Sequence, residues 1–131
     1  MSKEHFIKNL KGTMYHQNLA LFEFEIKDRQ LISCHDLSNQ KWWPMEPKEF
    51  GMSYRSLNDF FRRRVVQDYA MWLSDYLEGM GLSCYNFEEL VKRNNGSNHL
   101  DEYWIRFDGI GAQCYDEIWT QKYPIYLTGT I

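Results

Sequence analysis

At 131 residues the chain has the length of one domain and can bury a core without disulfide or metal staples. Three cysteines without CxxC spacing, a net charge of −3 and no long apolar run argue against a disulfide framework, a strongly basic particle, a secretory leader and a membrane span. The expectation is a single α+β domain over residues 1–131 in the reducing cytoplasm, a small antiparallel sheet packed against two or three helices.

Residues 2–12 read as a short helix with Phe6, Ile7 and Leu10 on one side and Ser2 as its cap. In "LALFEFEIK" the residues Ala20, Phe22, Phe24 and Ile26 alternate with Leu21, Glu23 and Glu25, the period of a half-buried strand. "KDRQ" supplies a turn and Leu31 to His35 a returning strand, so a hairpin is predicted. "NQKWWPMEPKEFG" reads as a loop of about ten residues over the core, with one tryptophan tucked in, because Pro44 biases Trp43 toward an extended backbone.

"SLNDFFRRR" opens the helical section, with Ser56 and Asp59 as a capping box. Tyr69, Trp72, Leu73, Tyr76, Leu77 and Met80 recur at steps of three and four, predicting an amphipathic helix that ends at Gly79 or Gly81. Asn86 with Glu89 starts a shorter helix through about Arg93, broken by "NNGSN". "DEYWIRF", Asp101 to Phe107, is the next strand. Tyr103, Ile105 and Phe107 lie on its core face, and Trp104 and Arg106 on the other. "DGIG" turns, Tyr115 to Trp119 makes a helical turn, and "YPIYLTGTI" is a final strand.

Chemistry is sparse. Cys34-His35-Asp36 invites a thiol-enzyme reading, but neighbouring strand residues face opposite ways, which favours a structural cysteine beside a surface histidine. His5, His16, His35 and His99 have no zinc-ligand spacing, and no phosphate-binding or nucleophile-elbow motif occurs. The pairs Glu88-Glu89, Asp101-Glu102 and Asp116-Glu117 sit at element starts, where the helix dipole accounts for acidic residues such as Glu88-Glu89. No catalytic residue, metal or cofactor is expected.

Charge is uneven along the chain. Residues 1–65 hold eleven Lys/Arg against eight Asp/Glu, and residues 66–120 hold three against ten. An acidic half repels nucleic acid and favours a basic protein surface, with a solvated acidic face as the partner-free alternative. Arg62-Arg63-Arg64 is the one basic cluster: a few phosphate contacts, a solvated helix face, or a patch for an acidic partner.

The stretch "SLNDFFRRR…YLEGMGL…ELVKRNNG…LDEYWIRF…YDEIW" resembles the N-terminal region of HipA-like serine/threonine kinases. The matching positions are Leu57, Asn58, Phe60, Phe61 and Arg64, then Leu82, Asp101, Tyr103, Trp104 and Ile105, and finally Trp119. The ATP-binding and catalytic residues of the kinase core have no counterparts, so the resemblance implies an accessory module without the enzyme. The function expected is protein binding by an inhibitor or regulator of the phage or mobile-element type. Its partner would be a toxin-type kinase or a nucleoprotein with a basic groove, and no membrane is involved. The stand-alone kinase accessory subunit and a nucleic-acid binder using Arg62 to Arg64 are the alternatives. Twenty-two aromatics exceed what a small domain hides easily, so some should line the contact surface. The contact residues expected are Trp42, Trp43, Arg62, Arg63, Arg64, Trp104 and Arg106. For Trp104 a second reading stands beside this one, in which the strand is central in the sheet and covered by a helix, leaving Trp104 buried.

Overall fold

The computed structural model describes residues 5–65, 73–79, 81–98 and 101–122. It is α+β, with strands β1 (Leu10–His16), β2 (Leu19–Lys27), β3 (Gln30–Asp36) and β4 (Tyr103–Arg106). The helices are α1 (Met45–Phe50), α2 (Tyr54–Arg62), α3 (Leu73–Gly79), α4 (Phe87–Arg93) and α5 (Tyr115–Lys122). The sheet order is β3-β2-β1-β4, antiparallel throughout.

The predicted hairpin is β2–β3. Lys27 pairs with Gln30, and the two loop residues, Asp28 and Arg29, have φ of 51° and 61°. Positive φ at both central positions is the geometry that matches the twist of the flanking strands. Leu21 breaks the alternation of β2, because Met14 pairs with Phe22 while Tyr15 pairs with Ala20, leaving Leu21 as a bulge residue. That is why Leu21 is buried although its neighbours in sequence place it on the polar side.

Over residues 5–12 the predicted helix is not formed, and its Ser2 cap lies outside the described residues. Residues 5–9 have no regular structure, and Leu10 onward is β1, next to the middle of the sheet. Tertiary contacts outweigh the apolar spacing. Ile7 is fully buried, its N–H donates to Asn58 Oδ1 at 2.8 Å, and its carbonyl accepts from Tyr54 Oη at 2.7 Å. Lys8 and Asn9 donate their N–H groups to Glu88 Oε1. Sequence periodicity misses β1 because Gly12 interrupts its side-chain pattern. A Cβ at Gly12 would lie 2.6 Å from Ile105 Cγ2 and 3.0 Å from the Arg106 carbonyl, so β4 closes on the bare backbone there.

The proline-bracketed stretch is only partly a loop. Pro44 serves as the N-cap of α1 and Pro47 lies in its first turn, where backbone N–H groups have no intrahelical partner to lose. In α2 the cap is Ser53, whose hydroxyl accepts from Ser56 N, while Ser56 answers as the third helical residue; the box predicted at Ser56 and Asp59 starts one turn too late. Asn86 caps α4 as expected, accepting from Glu89 N. After α3 the N–H groups of Gly81 and Leu82 return to the Glu78 and Leu77 carbonyls, ending the helix at the predicted glycines. The earlier positions of that helix, Tyr69 and Trp72, together with Met80, His99 and the final strand, fall outside the described residues.

One face of the sheet carries the main core, in which Met14, Phe22, Phe24 and Ile105 meet Leu57, Phe61, Leu90 and Val91 from the helices. On the opposite face α5 brings Ile118 over Trp104 and Ala112, a second and smaller core. Glu88 closes the N-terminal segment onto α4. Partial burial pushes its carboxyl up, but the Asn9 and Lys8 N–H groups and Lys92 outweigh this and hold it below its ordinary value.

Gly12→Ala should destabilise the protein by about 1–3 kcal/mol, read from chemical denaturation, because the added methyl meets backbone as well as a buried side chain. Glu88→Gln should lower the unfolding midpoint at neutral pH. Because the folded-state pKa is depressed, this contribution is complete above the ordinary value of 4.5 and is lost as pH falls through the folded value. The gap between parent and variant should therefore close on acidification.

Candidate protein-interaction surface

The structure separates the residues expected to form one contact patch. Trp42 is exposed, and Trp43 beside it is buried against the Phe22 ring at 5.2 Å. Trp42 holds φ of 62°, an uncommon conformation for a bulky residue, and is fastened on two sides. Its indole stacks on His16 at 4.6 Å with the rings 4° from parallel, and its carbonyl accepts from Tyr103 Oη at 2.8 Å. Burial, then the Asp101 carboxylate, raise the Tyr103 hydroxyl above the ordinary phenol range and keep it a donor. Tyr103 also sets its ring edge against His16 at 5.0 Å, and the Glu102 carboxylate lies 3.9 Å from His16 Nε2. The exposed indole is thus held by β1 and β4 together.

The arginine triplet does not act as a unit. Arg62 is exposed, 3.8 Å from Asp59. Arg63 is exposed and reaches the buried Glu46 carboxylate at 2.9 Å. Arg64 turns inward as α2 ends and is only 7 % exposed. It donates to both oxygens of Asp101 at 2.7 and 2.8 Å, to the Gly96 carbonyl at 2.6 Å and to the Tyr103 carbonyl at 2.9 Å, over the face of Phe60. A nucleic-acid site using Arg62 to Arg64 therefore loses its third cation to the core.

Trp104 shares a strand face with Arg106, as expected, but is fully buried. It stacks on Tyr15 at 4.8 Å, and its indole N–H donates to the Gln17 carbonyl at 2.7 Å. The second reading is right that a helix covers the strand and buries Trp104, but β4 is an edge strand of the sheet and not a central one; Trp104 cannot anchor a partner on the folded protein. Arg106 is exposed, its guanidinium 5.3 Å from the Tyr15 ring centre.

Arg106 borders the open part of this sheet face, a broad depression of about 1080 Å³. Charges of both signs alternate across it: Lys11 pairs with Glu25, Glu23 with His35, and Thr13 with Arg106. Ile110 is the one large exposed apolar side chain on its border among the described residues, so the face has the character of a solvated sheet surface.

Cys34 and His35 pair with Phe24 and Glu23 respectively and so point to opposite faces of β3. Although Cys34 is an exposed residue, partial desolvation of its sulfur, then Asp36, raise the thiol pKa and disfavour the thiolate. Among the described residues no three His, Cys, Asp or Glu side chains come together to hold a metal, and no helix is long and apolar enough to cross a membrane.

What the sequence reading passed over is α1. Met45 is 69 % and Phe50 76 % exposed, and with Trp42 at 52 % they place three large apolar side chains on the surface within residues 42–50. The signal for them was hidden by the two prolines, which read as a loop and not as a capped helix. Arg63 on Glu46 ties α2 to the start of α1, and Ser56 Oγ donating to the Gly51 carbonyl at 2.7 Å ties it to the end. No protein-family model, curated protein or solved structure matches this chain.

Arg64→Ala should cost about 3–5 kcal/mol of stability, because it takes the buried guanidinium away from the Asp101 carboxylate and from the Gly96 and Tyr103 carbonyls. Arg62→Ala should stay within about 1 kcal/mol of the parent, whereas Arg63→Ala should cost more than Arg62→Ala, because it leaves the buried Glu46 carboxylate without its cation. Trp104→Ala should cost about 3–5 kcal/mol, a core-sized loss in the same denaturation assay.

Proposed function

We propose that this protein is a non-enzymatic binding module that inhibits or regulates a protein partner by occupying its surface. Trp42, Met45 and Phe50 form the centre of the contact. The observation that carries this reading is the exposure of those three side chains on a short, tied-down segment. Leaving apolar groups of this size in water is unfavourable, and clusters of them on a rigid frame mark interaction sites. Trp42 has the further property of a binding anchor. Its position is fixed before any partner arrives, by the His16 stack and the Tyr103 hydrogen bond, so little conformational freedom remains to be lost on association.

The test is affinity capture from the native cell with the parent protein and with a Trp42→Ala/Phe50→Ala variant. Each truncation at a hot spot removes about 2 kcal/mol or more of binding, roughly thirtyfold in Kd. The variant should lose a specific protein that the parent retains, while its unfolding free energy moves by about 1 kcal/mol or less. Equal capture by the two proteins, or a captured nucleic acid in place of a protein, would contradict the proposal.

A further inference from the structure

The two edges of the sheet differ. At β4 the backbone of Ile105 is engaged on its outer side, its N–H donating to the Asn95 carbonyl and its carbonyl accepting from Asn95 Nδ2, and Arg64 holds the Tyr103 carbonyl. Among the described residues no strand lies outside β3, whose side chains are all exposed or half-exposed. The hydrogen bond from Leu37 N–H to the Leu21 carbonyl at 2.9 Å fixes which backbone groups of β3 face that open side. In an antiparallel ladder, hydrogen-bonded and non-hydrogen-bonded pairs alternate. Leu37 and Leu21 form a bonded pair, so His35 with Glu23 and Ser33 with Glu25 are bonded too, and Asp36 with Phe22 and Cys34 with Phe24 are not. The N–H and C=O groups of Cys34 and Asp36 therefore point outward.

Little protects this edge. Proteins blunt a lone edge with lysine, proline, a bulge or a covering element. β3 has no lysine or proline, and its bulge at Ile32 lies on the hairpin-tip side, leaving residues 33–37 in regular pairing with β2. Its one acidic side chain, Asp36, turns to its own loop, where the carboxylate accepts from Ser38 N–H at 3.0 Å and Gln40 N–H at 3.2 Å.

We propose that β3 pairs with β3 of a second copy of this chain, antiparallel about a two-fold axis at His35, joining the two four-stranded sheets into one. The register follows from the backbone. With the axis at His35, Cys34 lies opposite Asp36 of the second copy, and Asp36 opposite its Cys34. Each of these two pairs exchanges two hydrogen bonds, which satisfies the outward groups of both copies. An axis at Cys34 would set Asp36 against the bulge at Ile32. An axis at Asp36 would bring two carboxylates together and set Cys34 against Ser38, whose N–H is already given to Asp36 Oδ1. In the His35 register the exposed Leu37 comes to lie beside Ser33 of the other copy. A second copy is favoured over a foreign strand because it presents the same unpaired groups at the same spacing, so both chains lose an open edge at once. Pairing also ends at two copies, because the engaged edge at β4 gives no further strand a place. Trp42 is held by His16 of β1 and Tyr103 of β4, and β2 separates these strands from the paired edge, so the inference stands apart from the protein-binding reading.

Sedimentation equilibrium of the full chain over a concentration series reads the pairing, and amide hydrogen exchange by NMR reads the edge. The mass should rise toward that of a dimer and stop there, and the Cys34 and Asp36 amides should become protected as concentration rises. His35→Lys places like charges directly opposite each other and should weaken association by about tenfold or more, with the unfolding midpoint unchanged. The exchange data come from the parent protein, so they decide the matter even if His35→Lys fails to fold. Cross-linking tests the register. In a Cys34→Ser/Cys84→Ser/Cys114→Ser background, which changes only exposed cysteines, His35→Cys should form an intermolecular disulfide under mild oxidation. Facing residues of a non-hydrogen-bonded pair lie about 4.5 Å apart at Cα, within the span of a disulfide. Ser33→Cys in the same background should form far less. The proposal is overturned by a monomer at every concentration, whether its Cys34 and Asp36 amides exchange freely or are protected throughout; the second result would mean that another segment of the chain covers the edge. It is equally overturned by a dimer that His35→Lys leaves intact, by Ser33→Cys cross-linking as well as His35→Cys, or by growth beyond the dimer.

Discussion

Arg64 ties the end of α2 to the loop after α4 and to the start of β4. Its guanidinium leaves water at the end of α2 and makes four hydrogen bonds, two to Asp101 and one each to the Gly96 and Tyr103 carbonyls. Burying an unpaired guanidinium would cost several kcal/mol, and the bidentate carboxylate and the face of Phe60 offset that cost. The result is a cross-link between α2, the loop after α4 and the start of β4. β4 is only four residues long, so its position depends on such contacts as much as on its pairing with β1. Asn95 completes the fixation. Its carbonyl accepts from Ile105 N at 2.7 Å, and its side chain donates to the Ile105 carbonyl and accepts from Ala112 N.

From β4 the same constraint reaches the surface. Tyr103, whose carbonyl Arg64 holds, extends its hydroxyl to the Trp42 carbonyl and its ring to His16. Trp42 can keep a positive φ because those contacts surround it. The interior therefore sets the exposed indole, and the order runs from one buried cation to one exposed aromatic. Asn95 also closes the outer edge of β4, whereas every residue of β3 is exposed or half-exposed. The sheet is thus sealed at one edge and open at the other, with a bulge at Ile32 where Ser33 pairs with Glu25 and Leu31 with Ile26.

Local chemistry explains which parts of this were legible. The β2–β3 hairpin, the Asn86 cap and the β4 core face were readable because alternation, capping and turn residues act within a few positions of chain. β1 was not, since its place is set by Asn58, Tyr54 and Glu88 from distant helices and by a glycine that only the approach of β4 explains. That one tryptophan of the proline-bracketed stretch is tucked into the core was legible, but which one was not, and the split between Arg63 and Arg64 was out of reach. Trp42 and Trp43 are neighbours, as are Arg63 and Arg64, and composition does not say which member of a pair turns inward. In the fold one member of each pair is buried and the other faces solvent. Leu57, Phe61, Trp104 and Ile105, four positions of the kinase-region resemblance, are core side chains, so packing alone accounts for their residue types.

Arginine-directed labelling of the native protein with phenylglyoxal, read site by site by mass spectrometry, tests the buried cross-link most directly. The account predicts that Arg62 and Arg63 are modified while Arg64 stays protected until the protein unfolds. Modification of Arg64 at the rate of its two neighbours would contradict it.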